Sequence, residues 1–141
     1  RSVDSLIGEI REVKEHYFLD RVYLTDDTFL LKPPGWLEAF AEQYPREIGI
    51  PLSLNVRANL INEEVGRLLK KMGCRNVHLG VESGNEKVAN AYLKRNLSNH
   101  QIREACRILH ENGMQIMTQN LVGLPVENTR CLEALEELLG S

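Results

Sequence analysis

Four short runs of β-forming residues, each followed by a helix-period pattern, constrain this chain more than any other feature. They begin near residues 22, 52, 77 and 115. Strands separated by a helix are joined by crossovers rather than hairpins, so a sheet built from them is parallel. Val22 to Thr25 is a compact β-branched and aromatic run that stops at Asp26-Asp27. Leu52-Ser53-Leu54-Asn55-Val56 alternates apolar and polar, Val77 to Val81 is the third strand, and Gln115 to Val122 the fourth.

The helical patterns fill the intervals. Val3, Leu6, Ile7, Ile10 and Val13 recur at three- and four-residue spacing behind Ser2, a good N-cap. Pro33-Pro34 opens a helix carrying Trp36, Leu37, Phe40 and Tyr44, and Pro45 is expected to end it. Asn62 caps a helix with Val65, Leu68, Leu69 and Met72 that stops at Gly73. A short helix spans Val88 to Leu93, Ser98-x-x-Gln101 is a capping box for the next, and a final helix follows Glu127. The order is a helix and then four βα units. Two architectures accommodate it: an open doubly wound sheet, or part of a closed (β/α)₈ barrel. Closed barrels take about 250 residues, so four units in 141 make about half of one.

Composition narrows the function classes. Seventeen Lys and Arg against twenty Asp and Glu leave a net charge of −3, which provides no footprint for nucleic acid or an anionic membrane. No apolar run approaches the roughly 20 residues of a membrane span, and residues 1–4 lack the layout of a signal peptide, so a cytoplasmic location is expected. Cys74, Cys106 and Cys131 are odd in number and widely spaced, which suits a reducing compartment and neither a disulfide framework nor a local metal motif.

In parallel α/β proteins the chemistry collects at the carboxyl ends of the strands. All four strands here end in polar residues: Asp26-Asp27, Arg57, Glu82-Ser83-Gly84 and Asn120 to Glu127. Each has a structural alternative. The aspartates can cap a turn, Arg57 can form an ion pair, and Glu127 sits at a helix start where its charge meets the dipole. His78 lies mid-strand, as a core or barrel-interior histidine would, and the three cysteines read as small core residues. A rival reading takes Asp26 and Asp27 as oxygen ligands for a divalent cation in an open, receiver-like sheet.

At Val22-Tyr23-Leu24-Thr25-Asp26-Asp27-Thr28-Phe29, at Gly73-Cys74, at His78-Leu79-Gly80-Val81-Glu82-Ser83-Gly84 and at Gly123-Leu124-Pro125-Val126-Glu127, the chain resembles the radical S-adenosylmethionine (SAM) enzymes, most of all the group often fused to a cobalamin-binding domain. The resemblance runs over nearly the whole chain. It implies a partial (β/α)₆ barrel with SAM and a four-iron four-sulfur cluster at the carboxyl mouth, where reductive cleavage yields a 5′-deoxyadenosyl radical. It further implies that Glu82, with Ser83, reaches the ribose hydroxyls. Asn120, Gly123 and Pro125 fall on the adenine side, Asp26 and Asp27 near the methionine ammonium or the substrate, and Arg57 near a carboxylate.

Two departures stand out. Val126 replaces the glycine usual in the Gly-Leu-Pro-Gly-Glu-Thr stretch, and the C-x-x-x-C-x-x-C cluster loop is missing. Residues 1–141 are therefore expected to be a single interior fragment of such a core, with the cluster ligands outside it. No residue of the fragment is assigned a catalytic role, and alone it would not be competent. Cobalamin is possible in the parent, the small-molecule substrate is unknown, and open sheet edges are expected to favour self-association.

Overall fold

The computed structural model describes residues 1–124 and 129–140. It contains four strands, β1 (Val22–Leu24), β2 (Leu52–Val56), β3 (Cys74–Glu82) and β4 (Gln115–Asn120). The helices are α1 (Val3–His16), α2 (Trp36–Glu47), α3 (Glu63–Lys71), α4 (Glu86–Leu93), α5 (Asn99–Glu111) and α6 (Thr129–Gly140), with a 3₁₀ turn at Ala58–Leu60.

All three strand pairings are parallel and the spatial order is β1-β2-β3-β4, the same as the chain order. A doubly wound sheet reverses direction at a switch point, whereas a barrel winds one way. The sequential order is the barrel's. The helices follow suit: α1 packs on α2, α2 on α3 and α3 on α5, forming one row along one face of the sheet. This is a section of a (β/α) barrel wall.

The period-2 alternation of the strands separates the two faces. Leu24, Leu52, Leu54, Val56, Val77, Leu79 and Val81 are buried and share a core with Ile7, Phe40, Tyr44, Leu69, Ile102 and Leu109 of the helices. Tyr23, Ser53, Asn55, Asn76, His78, Gln115, Met117 and Gln119 occupy the alternate positions, which in a barrel point inward. That inner face is polar.

Ser2, Asn62 and Ser98 cap their helices as expected, the last in a complete capping box. Gly73 and Gly113 follow α3 and α5 at φ +80°, the left-handed geometry that stops a helix. Pro45 is a correction: it lies inside α2, which continues to Glu47. It sits in the last turn, where its missing amide forgoes only the bond to the carbonyl four residues earlier, at Ala41, and the Ile48 and Gly49 amides still close on the Tyr44 carbonyl beyond it. The N-cap of α2 is Gly35 at φ +76°, and the two prolines precede the helix instead of opening it. The fourth strand stops at Asn120, two residues short of expectation.

Candidate functional site

The carboxyl ends of the four strands surround one open cavity of about 470 Å³, lined by Asp27, Asn55, Arg57, His78, Glu82 and Gln119 together with Lys94 and Arg95. Its size lies within the range of small-molecule sites. Asp27 arrives on the loop after β1, Arg57 directly after β2, and Glu82 on the last residue of β3.

Glu82 is held in an unusual conformation. Its φ is +70°, and the Ser83 amide donates to the Val81 carbonyl at 2.9 Å, so the backbone closes a γ-turn centred on Glu82. The β3–β4 register slips at the same point: Gly80 pairs with Gln119 and Glu82 with Asn120, leaving Val81 as the extra residue of a bulge. The Leu121 amide then donates to the Glu82 carbonyl at 2.8 Å and fixes the turn from the neighbouring chain segment. A left-handed glutamate costs of order 1–3 kcal/mol, and such strain collects where a side chain must be aimed. Here it aims a carboxylate at the cavity.

Two of the lining cations have no counterpart in the motifs. Arg95 is carried on the linker between α4 and α5, flanked by Lys94 at φ +51° and Asn96 at φ +49°. These two left-handed residues turn the linker back toward the sheet. The Arg95 guanidinium donates to the Gly80 carbonyl at 2.6 Å, and its other terminal nitrogen stands 3.5 Å from Glu82 Oε1. By contrast, the side chains of Asp27, Arg57 and Lys94 have no hydrogen-bond or ion-pair partner among the described residues. The cavity therefore presents both signs of charge.

The inner face supplies its floor. Tyr23 donates to Asn55 Oδ1 at 2.7 Å, Asn55 Nδ2 donates to the Asp26 carbonyl at 3.1 Å, and the Tyr23 ring stacks on His78 with centroids 4.8 Å apart. Tyr23 and His78 are on strands either side of β2, and the residue in register with Tyr23 is the small Ser53. A bulky residue at position 53 would block that span. His78 is thus the interior histidine anticipated from its mid-strand position.

The remaining predicted residues lie elsewhere. Asp26 accepts from Lys32 Nζ at 2.9 Å on the α1 side of β1, away from the mouth. Ser83 is buried and its Oγ accepts from the Asn85 amide, at the start of α4. Asn120 is exposed and donates to Thr118 Oγ1 at 3.1 Å, and Gly123 is exposed at φ +94°. Pro125 and Glu127 fall outside the described residues. The structure thus gathers Asp27, Arg57 and Glu82 around one cavity and leaves Asp26, Ser83, Asn120 and Gly123 outside its lining.

The rival cation site does not assemble. Asp26 is taken by Lys32, and no group of three or more His, Cys, Asp or Glu is arranged for a metal among the described residues. The same holds for an iron–sulfur cluster. Cys74, Cys106 and Cys131 lie on β3, α5 and α6, and burial pushes the Cys74 thiol up to about 12, against the thiolate that a cluster requires. This chain's own cysteines do not fit that group. A ribose-bearing zwitterion such as SAM is a different matter: Glu82 offers acceptors for vicinal hydroxyls, Arg57 a fork for a carboxylate and Asp27 an acceptor for an ammonium.

The family model described as the radical SAM superfamily matches residues 1–139. An uncharacterized methyltransferase of Pyrococcus horikoshii is 23% identical over 133 residues, covering 94% of this chain and 29% of that protein. Cytidylyl-2-hydroxyethylphosphonate methyltransferase of Streptomyces wedmorensis is 23% identical over 143 residues, covering 100% of this chain and 26% of that protein. Among solved structures, the radical SAM methyltransferase TsrM of Kitasatospora setae, with cobalamin and a four-iron four-sulfur cluster bound, superposes with a TM-score of 0.82 at 20% identity, over 98% of this chain and 29% of its own. The chain thus spans less than a third of the length of each of these relatives. No described helix is long and apolar enough to cross a membrane.

Proposed function

Because this chain belongs to the radical SAM superfamily, we propose that its mouth cavity holds SAM, with the Glu82 carboxylate accepting from the ribose hydroxyls. The observation that carries this is the γ-turn at Glu82, a strained conformation whose one evident product is a carboxylate turned into the cavity. In this reading Arg57 takes the carboxylate and Asp27 the ammonium of the methionine moiety; its support is that both line the same cavity and neither is engaged by another described side chain. The floor of Asn55, His78 and Gln119 is left for a polar part of cofactor or substrate.

When bound beside a reduced four-iron four-sulfur cluster, SAM supplies one-electron chemistry, and cobalamin would add methyl transfer. This chain's residues bind, orient and shield. The methyltransferase relatives favour methyl transfer as the outcome in the complete enzyme, with cluster ligands and most substrate contacts contributed from outside these residues. The fragment alone is not competent, and its open edges at β1 and β4 favour pairing with another copy.

Isothermal titration of the chain with S-adenosylhomocysteine, which carries the same ribose and amino acid without needing a cluster, tests the reading. Saturable one-to-one binding that weakens on the order of tenfold or more in Glu82→Gln is expected, since a charge-assisted pair of hydrogen bonds is lost. Binding that is indifferent to Glu82→Gln would contradict it.

A further inference from the structure

We propose that Asn55 is the positioning residue that turns Asp27 into the mouth, an inference that rests on the reading of Asp27 as the acceptor for an ammonium group. Asn55 lies on the inner face of β2 and meets the loop after β1 at two points. Its Nδ2 donates to the Asp26 carbonyl at 3.1 Å, and its own backbone carbonyl accepts from the Phe29 amide at 3.4 Å. Residues 26 and 29 are thereby tied to one residue of the neighbouring strand, and only Asp27 and Thr28 are left between the ties. Those two are the loop residues that line the cavity.

The far side of the loop is held as well. Lys32 Nζ donates to Asp26 Oδ1 at 2.9 Å and stands 5.3 Å from the ring centroids of both Phe29 and Trp36. Phe29 itself is fully buried, with its ring edge-on to Trp36 and Phe40. The Asp26 carboxylate is thus engaged by Lys32 and its carbonyl by Asn55. The next residue along the chain is the one that presents its carboxylate to the cavity.

The direction of the Asn55 amide is set by its partners. A carbonyl only accepts, so Nδ2 must face Asp26, which leaves Oδ1 toward Tyr23 and requires the Tyr23 hydroxyl to donate, as it does at 2.7 Å. Turned over, the amide would set Oδ1 against the Asp26 carbonyl, two acceptors with no proton between them. The Tyr23 ring is in turn seated on His78, with the two planes 24° apart. A line of contacts therefore runs from β3 through β1 and β2 to the loop that carries Asp27. Position 55 needs one acceptor and one donor on a short side chain, a demand that aspartate and leucine, both close to asparagine in size, do not meet. Asn55 acts on the ligand's ammonium through Asp27 and not by touching it.

Titration calorimetry of the chain with two probes tests this: S-adenosylhomocysteine, and its desamino analogue, in which hydrogen replaces the amino group. Asn55→Leu is expected to weaken S-adenosylhomocysteine about tenfold, the loss of one hydrogen bond to a charged group, and to leave the desamino analogue nearly unchanged. Tyr23→Phe, which keeps the ring on His78 but frees the amide to turn over, is expected to act in the same direction and less. In an Asp27→Asn background, Asn55→Leu should have no further effect on either probe. Equal weakening of both probes, or full additivity with Asp27→Asn, would overturn the proposal. Thermal unfolding is recorded for every variant, and Tyr23→Phe carries the same test should Asn55→Leu fail to fold. If the unaltered chain binds both probes equally, or neither, the ammonium reading of Asp27 is what fails. The positioning role is then read from hydrogen exchange of the Phe29 amide, which ties the loop to β2: faster exchange in Tyr23→Phe and Asn55→Leu supports it, and unchanged exchange refutes it.

Discussion

The α-carbon of Gly84 lies against the backbone of Leu135. A β-carbon at position 84 would overlap the Leu135 amide nitrogen and α-carbon and the Ala134 carbonyl carbon. The obstacle is helix backbone, which cannot rotate out of the way, so the glycine after Glu82-Ser83 is what lets α6 seat on the strand end.

Gly84→Ala is therefore expected to destabilise the chain by about 3 kcal/mol, the upper range for forced overpacking. Urea unfolding measures this, and amide exchange in residues 131–140 should rise first, because the clash falls on α6. A change below about 0.5 kcal/mol, as for an ordinary surface site, would mean that α6 is not packed on Gly84.

Glu82→Gly should separate stability from binding. Glycine adopts φ +70° without the penalty a glutamate bears, so the urea midpoint should rise by the equivalent of about 1 kcal/mol while affinity for S-adenosylhomocysteine is lost. A drop in stability would show that the Arg95 pairing outweighs the backbone strain.

Much of this was legible in the sequence, and the boundary is physical. Strand positions and helix caps rest on local signals: Ser98-x-x-Gln101 folds as the capping box it spells, and Val22, Leu52 and Val77 open or lie in paired strands. Asp27, Arg57 and Glu82 could be placed because a strand end is a position along the chain. Asp26 could not be told from Asp27, since adjacent residues at a strand end point opposite ways and only the structure shows which meets Lys32. Arg95 was not legible at all. Lys94-Arg95-Asn96 reads as a solvated turn, and the long-range approach to Gly80 depends on two positive φ angles. Asn96, a residue that tolerates that conformation, is the one faint signal.

Ser53→Ala should stabilise the fold. Ser53 is 3% exposed and its Oγ has no hydrogen-bond partner among the described residues, so removing the hydroxyl removes a desolvation cost of about 1 kcal/mol. Thermal unfolding checks it. Because Tyr23 spans β2 over this position to reach His78, a larger residue such as Ser53→Leu should instead destabilise.

The cysteines make a pH prediction. Burial raises the Cys74 thiol from an ordinary value of 9 to about 12 in the folded chain. Below pH 9 the thiol is protonated in folded and unfolded chains alike and its contribution is fully present. Between pH 9 and 12 only the unfolded chain ionises, so stability is lost as pH rises. Urea midpoints measured from pH 8 to 11 should fall less steeply in Cys74→Ala. An unchanged slope would show that Cys74 does not carry the alkaline loss. For the same reason, anaerobic incubation with iron and sulfide should give no stoichiometric four-iron absorbance, and a well-formed cluster signal would contradict the assignment of its ligands to residues outside this chain.

The location of the cofactor site is tested most directly by amide chemical-shift mapping of the chain titrated with S-adenosylhomocysteine. Saturating shifts at Asp27, Arg57, Glu82, Arg95 and Gln119, which line one cavity at the strand ends, are predicted. Shifts confined instead to the groove of Cys106, Ile116, Leu138 and Leu139 between α5 and α6, or no saturable shift at all, would contradict it.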